Sequence, residues 1–191
     1  MTRVVLLHSA LGDSRLWRRQ VDALSPRFEV VAPDLPGWGR TPLPTEPFSY
    51  VETVASYLPA ALVGNSFGGM VAEWAFDDGD LERATQVNHD FWVRPEHHDE
   101  VRPQQRRAFE LQSAHEEPEV RWPELSPLAS LGIPALVVVG EDDKADFRAI
   151  ALHLAEEIPH AELVTVPGAG HLVGLDAPDE LNALLLEFLE H

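Results

Sequence analysis

The 191-residue chain contains no cysteine. That absence excludes a disulfide framework, a zinc-thiolate centre and a cysteine nucleophile together, and leaves oxygen and imidazole as the reactive groups. Cationic charge is also scarce: 14 Lys and Arg stand against 32 Asp and Glu, a formal net charge of −18. Binding to nucleic acid or to an anionic membrane surface draws on basic patches, and this composition hardly supplies one. No apolar run approaches the roughly 18–20 residues that cross a bilayer. Met1-Thr2-Arg3 leads straight into Val4 to Leu7 and then polar His8-Ser9, too short for a secretory signal core. The chain therefore reads as cytoplasmic, with neither membrane nor nucleic acid as partner, and leaves its oligomeric state open. Hydrophobic residues at 45% and charged residues at 24% are ordinary globular usage, and the length suits one domain.

Short β-branched runs alternate with amphipathic segments, the pattern of repeated βα units on a mostly parallel sheet. Strands are expected at Arg3 to His8, Phe28 to Ala32, Ala60 to Gly64, Pro134 to Gly140 and Glu162 to Val166, with a weaker one at Ala84 to Asn88. The run 134–140 has the composition of a strand buried on both faces. Helices are expected where Leu16, Trp17, Val21 and Leu24 follow Asp13-Ser14, around Val51 to Leu58, from Met70 to about Asp77, from Ala145 to Glu157, and from Pro178 onward. Leu181, Leu184, Leu185 and Phe188 should turn this last helix toward the core. Residues 91–127 lose the rhythm. They carry five prolines, Pro95, Pro103, Pro118, Pro123 and Pro127, and one amphipathic stretch around Arg106 to Ala114, and read as a small lid inserted into a single domain of residues 1–191.

The most informative string is Gly64-Asn65-Ser66-Phe67-Gly68, a GxSxG pattern between an expected strand and an expected helix. Such a turn holds the serine hydroxyl out over the sheet. The close approach of strand and helix leaves no room for side chains two residues away on either side, which Gly64 and Gly68 satisfy. A serine needs a base to take its proton, and the base needs an anion to fix its tautomer. Two later strands end in suitable groups: Glu141-Asp142-Asp143 after the first and Pro167-Gly168-Ala169-Gly170-His171 after the second. Both lie at carboxyl ends of strands, where ligands of open α/β sheets gather. Because a histidine base must be neutral, activity should fall on the acid side of neutrality.

Along most of its length the chain resembles the α/β-hydrolase superfamily. The resemblance is carried by Leu6-Leu7-His8-Ser9-Ala10, Pro33-Asp34-Leu35-Pro36-Gly37-Trp38-Gly39, Gly64 to Gly69, Val138-Val139-Gly140-Glu141-Asp142-Asp143 and Pro167 to His171. It implies a three-layer αβα sandwich of about six strands with a reduced cap. It also implies a catalytic triad of Ser66, Asp143 and His171, and an oxyanion hole made by the backbone N–H groups of Ala10 and Phe67. Asp142, Asp146 and Asp90 are the competing carboxylates, and His8 is mostly structural in the family. Ser9 departs from the pattern, which usually has glycine after the histidine, and this puts the aim of the Ala10 N–H in question.

Trp38, Phe91, Trp92, Trp122 and Leu172 are candidates to line an apolar substrate pocket, or equally to anchor loops. His97-His98-Asp99 lacks a third ligand at useful spacing, so neither a metal nor another cofactor is expected. A short lid favours a permissive site for small esters, thioesters or lactones. Two alternatives stand beside that reading. One is a carbon-carbon hydrolase of the meta-cleavage-product type, whose anionic substrate would need an arginine such as Arg40, Arg94, Arg102 or Arg121. The other is a catalytically degenerate ligand-binding protein of the same fold.

Overall fold

The computed structural model describes residues 2–65, 86, 89, 91–114, 119–120 and 127–190. The chain divides into two compact units, Met1–Pro123 and Glu124–His191.

In the first unit, β1 (Arg3–Leu7) lies between β2 (Glu29–Val31) and β3 (Ala61–Gly64), all parallel. The register sets Val4 beside Val30 and Ala61, and Leu7 beside Gly64. Val4, Val5 and Leu6 are fully buried, as expected of a central parallel strand. A parallel neighbour requires a crossover. Between β1 and β2 it is made by a 3₁₀ turn (Ser14–Trp17) running into α1 (Arg18–Leu24). Asp13 starts the turn by accepting the Arg15 N–H on its side chain at 3.0 Å. Helix α2 (Tyr50–Ala55) begins at Ser49, whose hydroxyl accepts the Glu52 N–H, and precedes β3.

The stretch 91–127, expected as a lid, differs from its expected form. Its helix, α3 (His98–Gln112), is longer than the amphipathic stretch 106–114 and contains Pro103 in its second turn. Pro103 forfeits only the bond that its N–H would have made to Asp99, and Pro95 opens the preceding 3₁₀ turn, where no such bond is needed. The prolines therefore punctuate the helix without preventing it. At the doubtful strand 84–88, Gln86 is helical, which corrects that expectation there; its neighbours 84, 85, 87 and 88 and the expected helix 70–77 lie outside the described residues.

In the second unit β4 (Leu136–Gly140) pairs in parallel with β5 (Glu162–Val166) across α4 (Ala145–Glu157). Val139 and Gly140 are buried, but Leu136 to Val138 are half-buried and Leu163 is exposed. Each strand is paired on one side only among the described residues, so the composition of 134–140 overstated its burial. A short α5 (Val173–Asp176) leads into α6 (Pro178–Glu190). Leu181 and Leu185 of α6 are buried, while Leu184 and Phe188 are half-buried. Five strands are present among the described residues, where about six were expected.

Candidate active site

The ends of β4 and β5 are tied to each other by backbone. Glu141 N–H donates to Val166 O and Asp142 N–H to Ala169 O, both at 2.9 Å. A Cβ on Gly140 would run into the carbonyl oxygens of Ala169 and Gly170, so only glycine lets the two loops come this close. The loop after β5 is held from its other side by Asp176, whose Oδ2 accepts the Gly170 N–H at 2.7 Å.

This closeness delivers Asp143 and His171 to each other. His171 Nδ1 lies 3.0 Å from both Oδ1 and Oδ2 of Asp143, and the two side chains are 4% and 6% exposed. A carboxylate only accepts, so Nδ1 carries the proton and donates it. The Lys144 N–H, 2.7 Å from Asp143 Oδ1, holds the carboxylate, and the Phe147 ring packs edge-on against the imidazole at 4.6 Å between centroids. Asp142 and Asp146 are exposed, and it is Asp143 that meets the histidine. Asp90 lies outside the described residues.

The loop after β1 carries a second imidazole. His8 is buried, donates from Nδ1 to Ser9 O at 2.8 Å and accepts the Leu35 N–H on Nε2 at 3.0 Å. Burial lowers its pKa from the ordinary 6.5, against smaller raising effects of the Ser9 bond and of Asp13 and Asp34. Ser9 does not need the backbone freedom of glycine: among the described non-glycine residues only His160 has a positive φ. The Ser9 hydroxyl instead accepts the Leu11 N–H at 3.3 Å. Ala10 is half-buried; its carbonyl accepts from Trp38 Nε1 at 3.2 Å, and its N–H makes no hydrogen bond among the described residues.

The next loop is organised on Asp34, which accepts the backbone N–H groups of Ser14 and Arg40, each at 3.0 Å. Burial alone would raise its pKa, but hydrogen bonds from Ser14 and Arg40 outweigh that and hold it below the ordinary value. Gly39, at φ +54°, is required here, since a Cβ would lie 2.5 Å from the Asp34 carboxyl carbon.

The other sequence candidates fall as follows. Trp38 is buried with Leu35 and Ala108 and packs edge-on against His8, so it anchors its loop. Phe91 is exposed and stacks edge-on with half-buried Trp92. Leu172 is buried, its carbonyl accepting the Leu175 and Asp176 N–H groups that start α5. Arg40 pairs with Asp34 and Arg102 donates to Gln86 Oε1 at 2.7 Å. Ser66, Phe67, Trp122, Arg121 and Gly68 lie outside the described residues. A Cβ on Gly64 would meet nothing within 4 Å among the described residues; the helix expected to crowd it is not among them. No group of three or more His, Asp or Glu suited to a metal occurs among the described residues, and no described helix is long and apolar enough to cross a membrane.

Sequence reasoning missed Gln104 and Gln105, both buried on α3. The signal was present as apolar or amide residues at 101, 104, 105 and 108, a helical spacing that the prolines obscured.

The sequence profile of the alpha/beta hydrolase family matches residues 4–184, and the chain belongs to that family. Over 71 residues, 36% of this chain and 29% of the relative, it is 35% identical to a pimeloyl-[acyl-carrier protein] methyl ester esterase of Legionella pneumophila. The matches to the first curated relatives span only 10% to 29% of those proteins. Among solved structures it is similar to Est816, described as an N-acyl homoserine lactone degrading enzyme, with a TM-score of 0.76 and 24% identity over 98% of this chain and 93% of that one. It is also similar to the 2-hydroxy-6-oxo-6-phenylhexa-2,4-dienoate hydrolase of Rhodococcus sp. strain RHA1, with a TM-score of 0.71 and 24% identity, covering 100% of this chain and 91% of that one. The fold is that of the alpha/beta hydrolases.

Proposed function

We propose that the protein is a serine hydrolase of small carboxylic esters, thioesters or lactones that works through an acyl-enzyme. The observation that supports this reading most is the buried Asp143–His171 pair. It belongs to a chain that also carries Gly64-Asn65-Ser66-Phe67-Gly68 directly after a strand. Ser66 Oγ attacks the substrate carbonyl. His171 Nε2 takes the serine proton and returns it to the leaving group, and Asp143 fixes the Nδ1–H tautomer and stabilises the imidazolium that forms. The N–H groups of Ala10 and Phe67 hold the oxyanion. Water then attacks the acyl-enzyme by the same proton relay and releases the acid. In this reading residues 91–127, with α3, form the reduced lid of one hydrolase domain.

A panel of p-nitrophenyl esters graded by acyl length tests the proposal, with Ser66→Ala as the blank. The parent should release nitrophenol with a preference along the series and the variant should fall to background. A variant as fast as the parent would contradict the assignment. The same panel, extended by a dienol diketone acid followed by loss of absorbance, separates the ester reading from carbon-carbon cleavage.

A further inference from the structure

The loop that carries His171 is closed on itself by a side chain. After β5 the chain turns at Gly168, whose φ is +66°, and passes through Ala169, Gly170 and His171, all buried. It then makes the single turn of α5, where the Leu175 and Asp176 N–H groups donate to Leu172 O at 2.8 and 3.0 Å. That turn brings Asp176 back to residue 170, where its Oδ2 accepts the Gly170 N–H at 2.7 Å. The bond spans six positions and encloses His171.

Two kinds of constraint therefore act on this imidazole, and all of them lie within the second unit. Asp143 at Nδ1 and the Phe147 ring, 4.6 Å away between centroids, fix how the ring is turned. They cannot set where the backbone of residue 171 lies. Before it, the main chain is held at Ala169 O, which accepts the Asp142 N–H at 2.9 Å, and at the Gly170 N–H; after it, at Leu172 O. Of these anchors the one at Gly170 is made by a side chain. A carboxylate on a backbone N–H forms one of the stronger hydrogen bonds. Without it the buried Gly170 N–H would lack this acceptor, and the loop would relieve that cost by shifting toward another acceptor or toward water. His171, the next residue, would be carried along and off the Asp143 oxygens.

We infer that Asp176 is a positioning residue for the reaction: by holding the Gly170 N–H it sets the backbone from which His171 reaches Asp143. This rests on the ester-hydrolase reading, in which His171 is the base.

The test reads the imidazole itself, through the low-field proton resonance of the His171 Nδ1–H. This signal reports the bond to Asp143 whether or not any substrate turns over, and its absence in His171→Gln assigns it. In Asp176→Ala the resonance should broaden or vanish while the circular dichroism stays that of the parent. In the same variant kcat for a p-nitrophenyl ester should fall about 10–100-fold and KM should stay within about twofold. Asp176→Leu, of similar volume, repeats the test without opening a cavity. Asp176→Asn keeps an acceptor oxygen and gives up the charge, and should restore the resonance and most of the lost kcat. Hydrogen exchange on the parent needs no variant to fold: the Gly170 amide should exchange far more slowly than an unprotected one. An unchanged resonance and kcat in Asp176→Ala or Asp176→Leu, an asparagine variant as impaired as these, or a Gly170 amide that exchanges freely overturns the assignment. Failure of the hydrolase reading looks different: the parent cleaves no ester, while the resonance still follows the side chain at 176.

Discussion

Among the buried imidazoles of the described residues, His8 and His171 each lie in a loop at the end of a strand, and their surroundings are opposite in kind. In the first unit His8 spends both ring nitrogens on backbone, one on Ser9 O and one on the Leu35 N–H, while Asp34 gathers the N–H groups of Ser14 and Arg40. In the second unit His171 is held at Nδ1 by a side-chain carboxylate, 3.0 Å from both oxygens of Asp143. An imidazole clamped by amide and carbonyl is a brace, and its burial favours the neutral form. An imidazole oriented by a carboxylate is prepared to receive a proton at its other nitrogen. Neighbouring groups, rather than residue type or burial, separate the two roles.

The largest effects should break the comparison on the second side. His171→Ala should lower kcat for a p-nitrophenyl ester by about 10⁴–10⁶, the range seen when a triad base is lost. Asp143→Asn keeps the shape but presents a donor where Nδ1–H needs an acceptor, and should cost about 10⁴ in kcat with the fold intact by circular dichroism. A loss below tenfold in both would remove the distinction between the two imidazoles.

On the first side the effect should be on stability. His8→Phe keeps a ring against Trp38 but orphans the Leu35 N–H and one bond to Ser9 O, for a loss of about 1–3 kcal/mol in urea unfolding. The pH dependence sharpens the same point. Because burial lowers the pKa of His8 from 6.5, acidification through about that value protonates the unfolded chain first, and stability declines until the lowered folded value is passed. Asp34, held below its ordinary 3.8, contributes stability that is present above that value and lost as pH falls through its folded value. The melting temperature should thus fall in two steps, with His8→Phe flattening the upper and Asp34→Asn the lower. The smallest effect concerns the surface: Glu100, paired with Arg18 at 2.9 Å and Arg19 at 3.5 Å, tethers α3 to α1, and Glu100→Gln should cost at most about 1 kcal/mol and less in high salt.

Much of this architecture was legible because it is local. The helix 145–157 and the strand 162–166 begin and end where periodicity and turn residues place them. The strand ends pointed to His171 and to the run Glu141-Asp142-Asp143, and the resemblance to the α/β-hydrolases chose Asp143 within that run; Asp143 and His171 are the two residues that meet. What was not legible depends on partners distant in sequence. Strand composition could not foresee the exposure of Leu163, which depends on which neighbours a strand finds. Trp38 looked as suited to a pocket as to a core; the Ala10 carbonyl and the His8 ring, far back in the chain, decide for the core. Ser9 looked like a defect because glycine is usual there, yet the backbone adopts a conformation open to any residue. Prolines hid α3, and with it the buried Gln104 and Gln105, since a proline in the second turn forfeits one hydrogen bond rather than the helix.

The most direct measurement of the central claim is the intact mass of the protein after incubation with a fluorophosphonate, followed by peptide mapping. The account predicts a single adduct on Ser66, absent in Ser66→Ala and formed far more slowly in His171→Ala. No adduct on the parent, or an equally fast adduct when His171 is replaced, would contradict it.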